Sequence, residues 1–516
     1  MKNFRTFKTA FALLLAAAGL VCTPGLSAAA KKPAVSTNKK SATPAVKPLP
    51  VVRVNVTDEP YDFIHPWDKK QAFTHRALGI VLPGNRVLVT AELVADSTYA
   101  QLERPDTGDK VPALVDAIDY EANLAILEPT KDDFLKGVKP LVLDDAKTGD
   151  AVSVWQVENT GALLTTSALL TTVEVTHYPI GNATLLLYRL TSQLQYRDNS
   201  FTVPVVKGGK LIGLLMRYDA RSQNADVIPA TVIKHFLTAA AKKEYKGFPE
   251  AGLFYAASRD PDLRAYAGLK PTDTGGVYVS EVLKHSPADD AGIQAGDVLL
   301  AIGNNAIDQD GNYTDPQYGK LSLLNLICTK SYDGDVLKFK IAHQGEEKTV
   351  DVKVANRPPD DYVIDPYIIG KAPKYYVLGG LVFQELSRQY LKEWGAGGGD
   401  WSKKAPLRFV YMDQYQSELF PEAGSHHKLV FLSQVLPCKG TLGYDDLWGL
   451  IITKINDVPI NSLADIDTAL QKPQNGFHKI EFDEYPKVIY LDAKQVEADS
   501  RLLMKKYEID SLKQLE

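Results

Sequence analysis

The sequence predicts a mainly β chain: one large β-barrel or sandwich, then two smaller α+β units. Between about 51 and 230, short β-type runs follow one another with turn residues and no helical pattern between them: RALGIVL, RVLVTAEL, ANLAILEP, DAVSVWQV, TLLLYRL and KLIGLLMRY. PATVIKHFLTAAAKKEY (229–245) then switches to helical spacing, with Ile233, Phe236, Leu237 and Ala240 on one face and lysines at its end. Beyond it, two stretches echo each other: a Gly-containing turn before a strand, then a strand ending in an Asn turn and a helix. At 516 residues the chain is too long for a single core, which agrees with this division.

Residues 1–30 read as a targeting segment. Lys2, Arg5 and Lys8 precede the apolar run AFALLLAAAGLVC (10–22), and GLSAAA (25–30) offers small residues for cleavage. The run is short of the roughly 20 residues a membrane span needs. The expectation is export to a periplasm or cell envelope by a cleaved signal, with an uncleaved anchor as the alternative. Val21 before Cys22 is bulkier than lipoprotein cleavage usually tolerates. KKPAVSTNKKSATPAVKPLP (31–50) has no apolar period and reads as a disordered tether. The first domain then spans 51–245, the second unit 246–356, a proline-rich linker 357–373, and the third unit 374–516. Cys328 and Cys438, far apart, give no disulfide framework and read as buried small apolar residues. The net charge of −5 gives no basic nucleic-acid footprint, no H-E-x-x-H-type metal motif is present, and nothing calls for a cofactor. GAGGGD (395–400) lacks the Lys-Ser/Thr of a phosphate loop and reads as a flexible loop.

SPADDAGIQAGDVLLAIGNNAI (286–307) resembles a PDZ domain: Pro287-Ala288 starts a helix, Ala291-Gly292 ends a turn, and Gly296-Asp297 leads the strand Val298–Ile302. A β-barrel of protease size, a helix and two such units resemble the HtrA/Deg family of serine proteases, in the plant-type branch whose second PDZ domain is divergent. RVLVTAELV, DYEANLAILEP, DNSFTVPVVKGGKLIGL, IPATVIKHFL, DPDLRAYAGL, YYVLGGLVF and VFLSQVL fall in the family order. The resemblance implies a trypsin-like double β-barrel followed by two α+β PDZ domains. It also implies assembly as trimers or their multiples.

Each catalytic position can then be compared. The family's basic histidine falls at Glu92, after Thr90-Ala91, and its orienting aspartate falls at Asn123. Its nucleophile falls at Ser200 in Asp198-Asn199-Ser200-Phe201-Thr202, and the glycine that shapes the oxyanion hole falls at Asp198. An imidazole takes the serine proton near neutral pH and returns it to the leaving amine. A glutamate of ordinary pKa, about 4.3, is a weak base and carries no proton to return. Losing the base alone removes about six orders of magnitude in turnover, and losing one oxyanion donor costs roughly 3–4 kcal/mol. The expectation is an inactive protease homologue, with Glu92 a polar strand-end residue near a Lys or Arg and Ser200 a loop hydroxyl. His65, His75, His177 and His235 read as surface or capping histidines, although a displaced base among them would support a serine endopeptidase using Ser200.

By the same resemblance, peptide carboxylates would be held by Tyr266-Ala267-Gly268-Leu269 in the first PDZ unit and Leu378-Gly379-Gly380-Leu381 in the second. The partners implied are polypeptide C-termini or unfolded segments, with an active protease relative and further copies of the chain beside them. A structural envelope protein whose PDZ grooves are closed by its own chain is the third reading.

Overall fold

Six antiparallel strands close the first barrel, in the order Val51–Asp58, Phe73–Leu82, Arg86–Val89, Leu124–Pro129, Lys110–Asp119 and Ser97–Glu103. Their alternation is legible residue by residue: Val52, Val54 and Val56 point inward while Arg53 and Asn55 do not. A second closed barrel follows in the order Pro204–Lys207, Lys210–Asp219, Asn224–Pro229, Thr184–Ser192, Leu163–His177 and Ala151–Val157. The computed structural model describes residues 48–516 except 159, 196–201, 243, 396–399 and 421–426. The segment 1–30 and most of the tether therefore lie outside the described residues. The double barrel is the trypsin-like architecture expected from the sequence.

The helix Ala230–Ala240 closes the second barrel with Ile233 and Phe236 fully buried, as its periodicity requires. His235 corrects the reading of a surface histidine. It is 3% exposed and lies between the rings of Phe248 and Tyr332, at centroid distances of 4.2 and 4.1 Å, with no partner on either ring nitrogen. Both rings come from beyond the helix, so His235 sits at the junction with the next unit.

That unit is an antiparallel sheet in the order Leu253–Ala256, Val277–Val282, Val298–Ile302, Val336–His343 and Glu346–Lys353. Its core is continuous with the second barrel: Leu323, Ile327 and Phe339 share one cluster with Leu187, Leu214 and Phe236. The Tyr188 and Tyr318 hydroxyls, 2.8 Å apart, bond across the same boundary.

The last unit repeats the sheet order but extends it: Val488–Asp492, Phe477–Phe482, Leu450–Ile455, Val430–Val435, Leu381–Glu385, then Tyr375–Leu378 and Lys513–Gln514. Between its first two core strands it carries an insertion that includes the helices Arg388–Lys392 and Leu407–Gln414. The connecting segment from 357 is packed along its length. Arg357 stacks on Tyr362 at 3.9 Å, and Tyr367 and Ile369 lie on the core of the first barrel. Cys328 is buried, Cys438 half-buried, and both are free thiols. Burial pushes the Cys328 thiol up to about 12.

Candidate functional site

Residues 90–94 form the wall of the first barrel where the base would stand. The strand Arg86–Val89 ends at Thr90, and Ala91–Val94 is one short helical turn with Glu92 exposed between buried Ala91, Leu93 and Val94. Glu92 is thus a first-turn helix residue rather than a strand end. Its N–H donates to Asn123 Oδ1 at 2.9 Å, so the two triad-equivalent positions are brought together by a backbone contact. Asn123 is fully buried at φ +53°, a conformation asparagine tolerates better than most residues, and its Nδ2 has no partner. Across the cleft, the buried hydroxyls of Thr90 and Thr202 share a 2.8 Å hydrogen bond that joins the two barrels. Ser200 and Asp198 lie outside the described residues, as does most of GAGGGD.

None of the four histidines of this domain stands as a displaced base among the described residues. His75 Nδ1 faces Asp58 Oδ2 at 3.0 Å and its Nε2 faces the Leu93 carbonyl at 3.0 Å. Both partners are acceptors, and the Asp58 hydrogen bond raises the imidazole's pKa above its ordinary value, so both ring nitrogens are engaged away from a serine. His65 contacts Asp62, His177 contacts Thr184, and His235 is sealed between two rings. No group of three or more His, Cys, Asp or Glu among the described residues could hold a metal ion.

Sequence reasoning missed the residues that the inserted helix brings to this cleft. Arg388 Nη1 donates to Asn182 Oδ1 at 2.7 Å, and its guanidinium pairs with buried Asp413 at 3.1 Å. Burial lowers the Lys392 amine to about 8; Arg388 and Arg217 push the same way, while Glu92 and Asp413 oppose them. Glu121 Oε2 accepts the N–H groups of Asn182 and Ala183, each at 2.6 Å. Burial nevertheless holds its carboxyl up, to about 7. No spacing signal could have revealed Lys392 or Arg388, because nearly 300 residues separate them from Glu92.

The two anticipated peptide loops prove not to be equivalent. Tyr266-Ala267-Gly268-Leu269 ends the helix Pro261–Tyr266. Tyr266 is exposed, while Ala267 and Leu269 form a small cluster with Val298 and Ala342. Gly268 lies against the Gln344-Gly345 turn. In the shared sheet order, the strand matching Leu381–Glu385 is Leu253–Ala256, so Glu250-Ala251-Gly252-Leu253 occupies the place of Leu378-Gly379-Gly380-Leu381. The resemblance points to Tyr266-Ala267-Gly268-Leu269 for this loop, whereas strand order points to Glu250-Ala251-Gly252-Leu253. Leu253–Ala256 is an edge strand, Phe254 is exposed on it, and among the described residues no acceptor lies on the N–H of Ala251 or Gly252.

In the second unit, Leu378 and Leu381 face each other across a two-residue hairpin turn. Gly379 and Gly380 have φ of +55° and +102°, as a type I′ turn demands. Leu381–Glu385 is therefore paired on both sides, and its edge is taken by the chain's own Tyr375–Leu378, which pairs in turn with Lys513–Gln514. Ser500 Oγ accepts from Gly379 N–H at 3.3 Å, so the helix Ala493–Lys506 also covers the turn.

A trypsin-like double barrel followed by two sheets of PDZ order defines a protease-fold protein with peptide-binding modules. Two PDZ family models match, over residues 262–354 and 364–513. The chain is 25% identical to "Protease Do-like 4, mitochondrial" of Arabidopsis thaliana over 92% of its length and 86% of that protein's. It is 26% identical to "Protease Do-like 2, chloroplastic" of the same plant, over 89% and 74%. A solved structure described as "HtrA-type protease AlgW with decapeptide" overlays with a TM-score of 0.46 at 17% identity, covering 61% of this chain and 97% of that one. Along most of its length the chain is thus similar to Do-like proteases, with a PDZ domain model matching each of its last two units.

Proposed function

We propose that this HtrA/Deg-like protein binds polypeptides without cleaving them. The carrying observation is the committed state of the base position: Glu92 holds it, Asn123 Oδ1 is spent on the Glu92 N–H, and the domain's histidines are each engaged or sealed elsewhere. Binding is assigned to the first PDZ unit. There an extended segment adds to the Leu253–Ala256 edge and its terminal carboxylate meets the N–H groups of Ala251 and Gly252. The second unit has no open edge at the matching strand, which supports a structural role for it. The role fits an exported protein in envelope quality control, working as a scaffold or chaperone, beside an active relative or as a homo-oligomer.

A second reading, a serine endopeptidase using Ser200, draws support from Lys392, whose desolvated amine shares the electrostatic surroundings of Glu92. Mature protein incubated with unfolded casein and a fluorophosphonate probe, beside Ser200→Ala and Lys392→Met, decides between them. The expected result is neither cleavage nor labelling in any form. Serine-dependent turnover that Lys392→Met abolishes would establish the second reading. A C-terminal peptide display screen tests the binding: enrichment that Gly252→Ala removes supports it, and no enrichment counts against it.

A further inference from the structure

One short segment of the second PDZ unit touches both barrels. Arg388, at its start, donates to Asn182 in the turn between Leu163–His177 and Thr184–Ser192, which belongs to the second barrel. Glu393, just past the helix, accepts from Lys70 Nζ at 2.5 and 2.7 Å, and Lys70 belongs to the loop between the first two strands of the first barrel. Five residues of helix advance about 7.5 Å, so the two attachments stand on opposite sides of a narrow gap. Lys392 lies between them and feels Glu92 from one barrel and Arg217 from the other. A helix of the same chain therefore bridges the two barrels, with Glu92 and Arg217 within electrostatic reach of Lys392.

The anchorage behind the crossing is extensive. Arg388 is fixed from its own side by Asp413. Phe63, from the same first-barrel loop as Lys70, is buried among Tyr390, Phe409 and Phe431, and its carbonyl accepts from Gln384 Nε2 at 3.2 Å. Gln434 Nε2 donates to the Ile64 carbonyl at 2.7 Å, and Trp67 meets Tyr375 edge to face at 6.1 Å. The second unit, whose own peptide edge is closed, thus spends its surface on the first-barrel loop and the cleft.

We propose that Arg388–Glu393 is a strap across the inter-barrel cleft, held by Asn182 on one side and Lys70 on the other, and that the cleft admits an extended polypeptide only when the strap lifts. This goes beyond binding at the first PDZ edge, and the strap crosses the cleft whether or not Ser200 is reactive. Its two hooks differ in kind. The Arg388–Asn182 bond is half-buried and resists salt, whereas the Lys70–Glu393 pair is reached by solvent and weakens with ionic strength.

The test uses the full mature chain with Asn182→Ala plus Lys70→Glu, which cuts both hooks and leaves the Arg388–Asp413 pair intact. Amide exchange of 386–394 and the binding of fluorescently labelled reduced casein are read together. Exchange in 386–394 should rise about tenfold, since two modest contacts are lost. Casein affinity should rise by a similar factor. Adding Glu393→Lys to Lys70→Glu restores an ion pair of reversed sense, and both readings should return most of the way to wild type. Unchanged exchange would overturn the strap. So would faster exchange with wild-type casein affinity, or failure of the charge swap to restore either reading. Casein that binds neither wild type nor variants would sink the polypeptide-binding reading along with the gate, whereas wild-type binding that does not rise counts against the strap alone.

Discussion

The two PDZ units share one strand order and put it to opposite uses. In the first, Leu253–Ala256 is the last strand of the sheet and its outer side is open. In the second, the matching Leu381–Glu385 is covered by Tyr375–Leu378 through a Gly-Gly turn, and that strand is covered again by Lys513–Gln514. An open sheet edge is a template for another chain, and a covered one is not. The difference therefore lies in one added hairpin rather than in the core, and both units still match models described as PDZ domain. Each unit is also fused to a different partner, the first to the core of the second barrel and the second to a loop of the first barrel.

The comparison breaks most severely at Phe431, which is fully buried and packs edge-on against Tyr390 and Phe409 at 4.8 and 5.4 Å. Phe431→Ala should lower stability in urea by about 3–5 kcal/mol and loosen the second unit with the strap. Peptide binding at the first unit should survive. If binding is lost with it, the two units are not separable in function.

The paired glycines sharpen it further. A Cβ at Gly252 would meet Ser286 Cβ at 2.2 Å, and one at Gly380 would meet the Leu436 carbonyl at 2.7 Å, both at positive φ. Alanine at either place should cost about 1–2 kcal/mol from backbone strain alone. Only Gly252→Ala should also weaken a C-terminal peptide, by about tenfold, because the clash with Ser286 shifts the Gly252 N–H away from a carboxylate whose hydrogen bond is worth more than a neutral one. Calorimetric titration of both variants separates strain from recognition.

The two junctions answer pH with opposite signs. His235 is held neutral, its pKa lowered by burial to about 4 from an ordinary 6.5. Separation from Phe248 and Tyr332 lets it charge, so the packing of barrel on first unit weakens as pH falls from about 6.5 toward 4. Glu121, where the first barrel meets the Asn182-Ala183 turn of the second, is raised by burial to about 7 from 4.5, so its contribution is complete below 4.5 and fades as pH rises to about 7. Melting curves across that range should lose their acid limb in His235→Phe and their neutral-side slope in Glu121→Gln. The smallest effect belongs to Lys70→Glu alone, less than about 1 kcal/mol for a pair whose lysine is open to solvent, visible as lost salt dependence of strap exchange.

The barrels were legible because their strands alternate and their turns are marked, and the closing helix because its apolar face recurs at helical spacing. Glu92 and Asn123 were legible as a pair because each ends a short local motif of the family. The strap was not, because Arg388, Glu393 and Lys392 look like any exposed charges of a helix, and only the folded chain sets them beside Asn182, Lys70 and Glu92. The place of the first peptide loop was not legible for a related reason. Tyr-Ala-Gly-Leu and Glu-Ala-Gly-Leu differ by one residue locally, and only sheet order tells a helix end from the start of an edge strand. His235 sat on the helical stripe beside Ile233 and Phe236, and its burial follows from rings contributed by Phe248 and Tyr332.

The Gly379-Gly380 hairpin also fixes an order of events. Tyr375–Leu378 and Leu381–Glu385 are separated by two residues, and such a hairpin closes in about 1–10 μs, whereas a ribosome adds roughly 5–20 residues per second. Val430–Val435, the other neighbour of Leu381–Glu385, is made only some 45 residues later. The strand whose edge would otherwise receive a foreign peptide is thus claimed by its own predecessor seconds before its sheet exists.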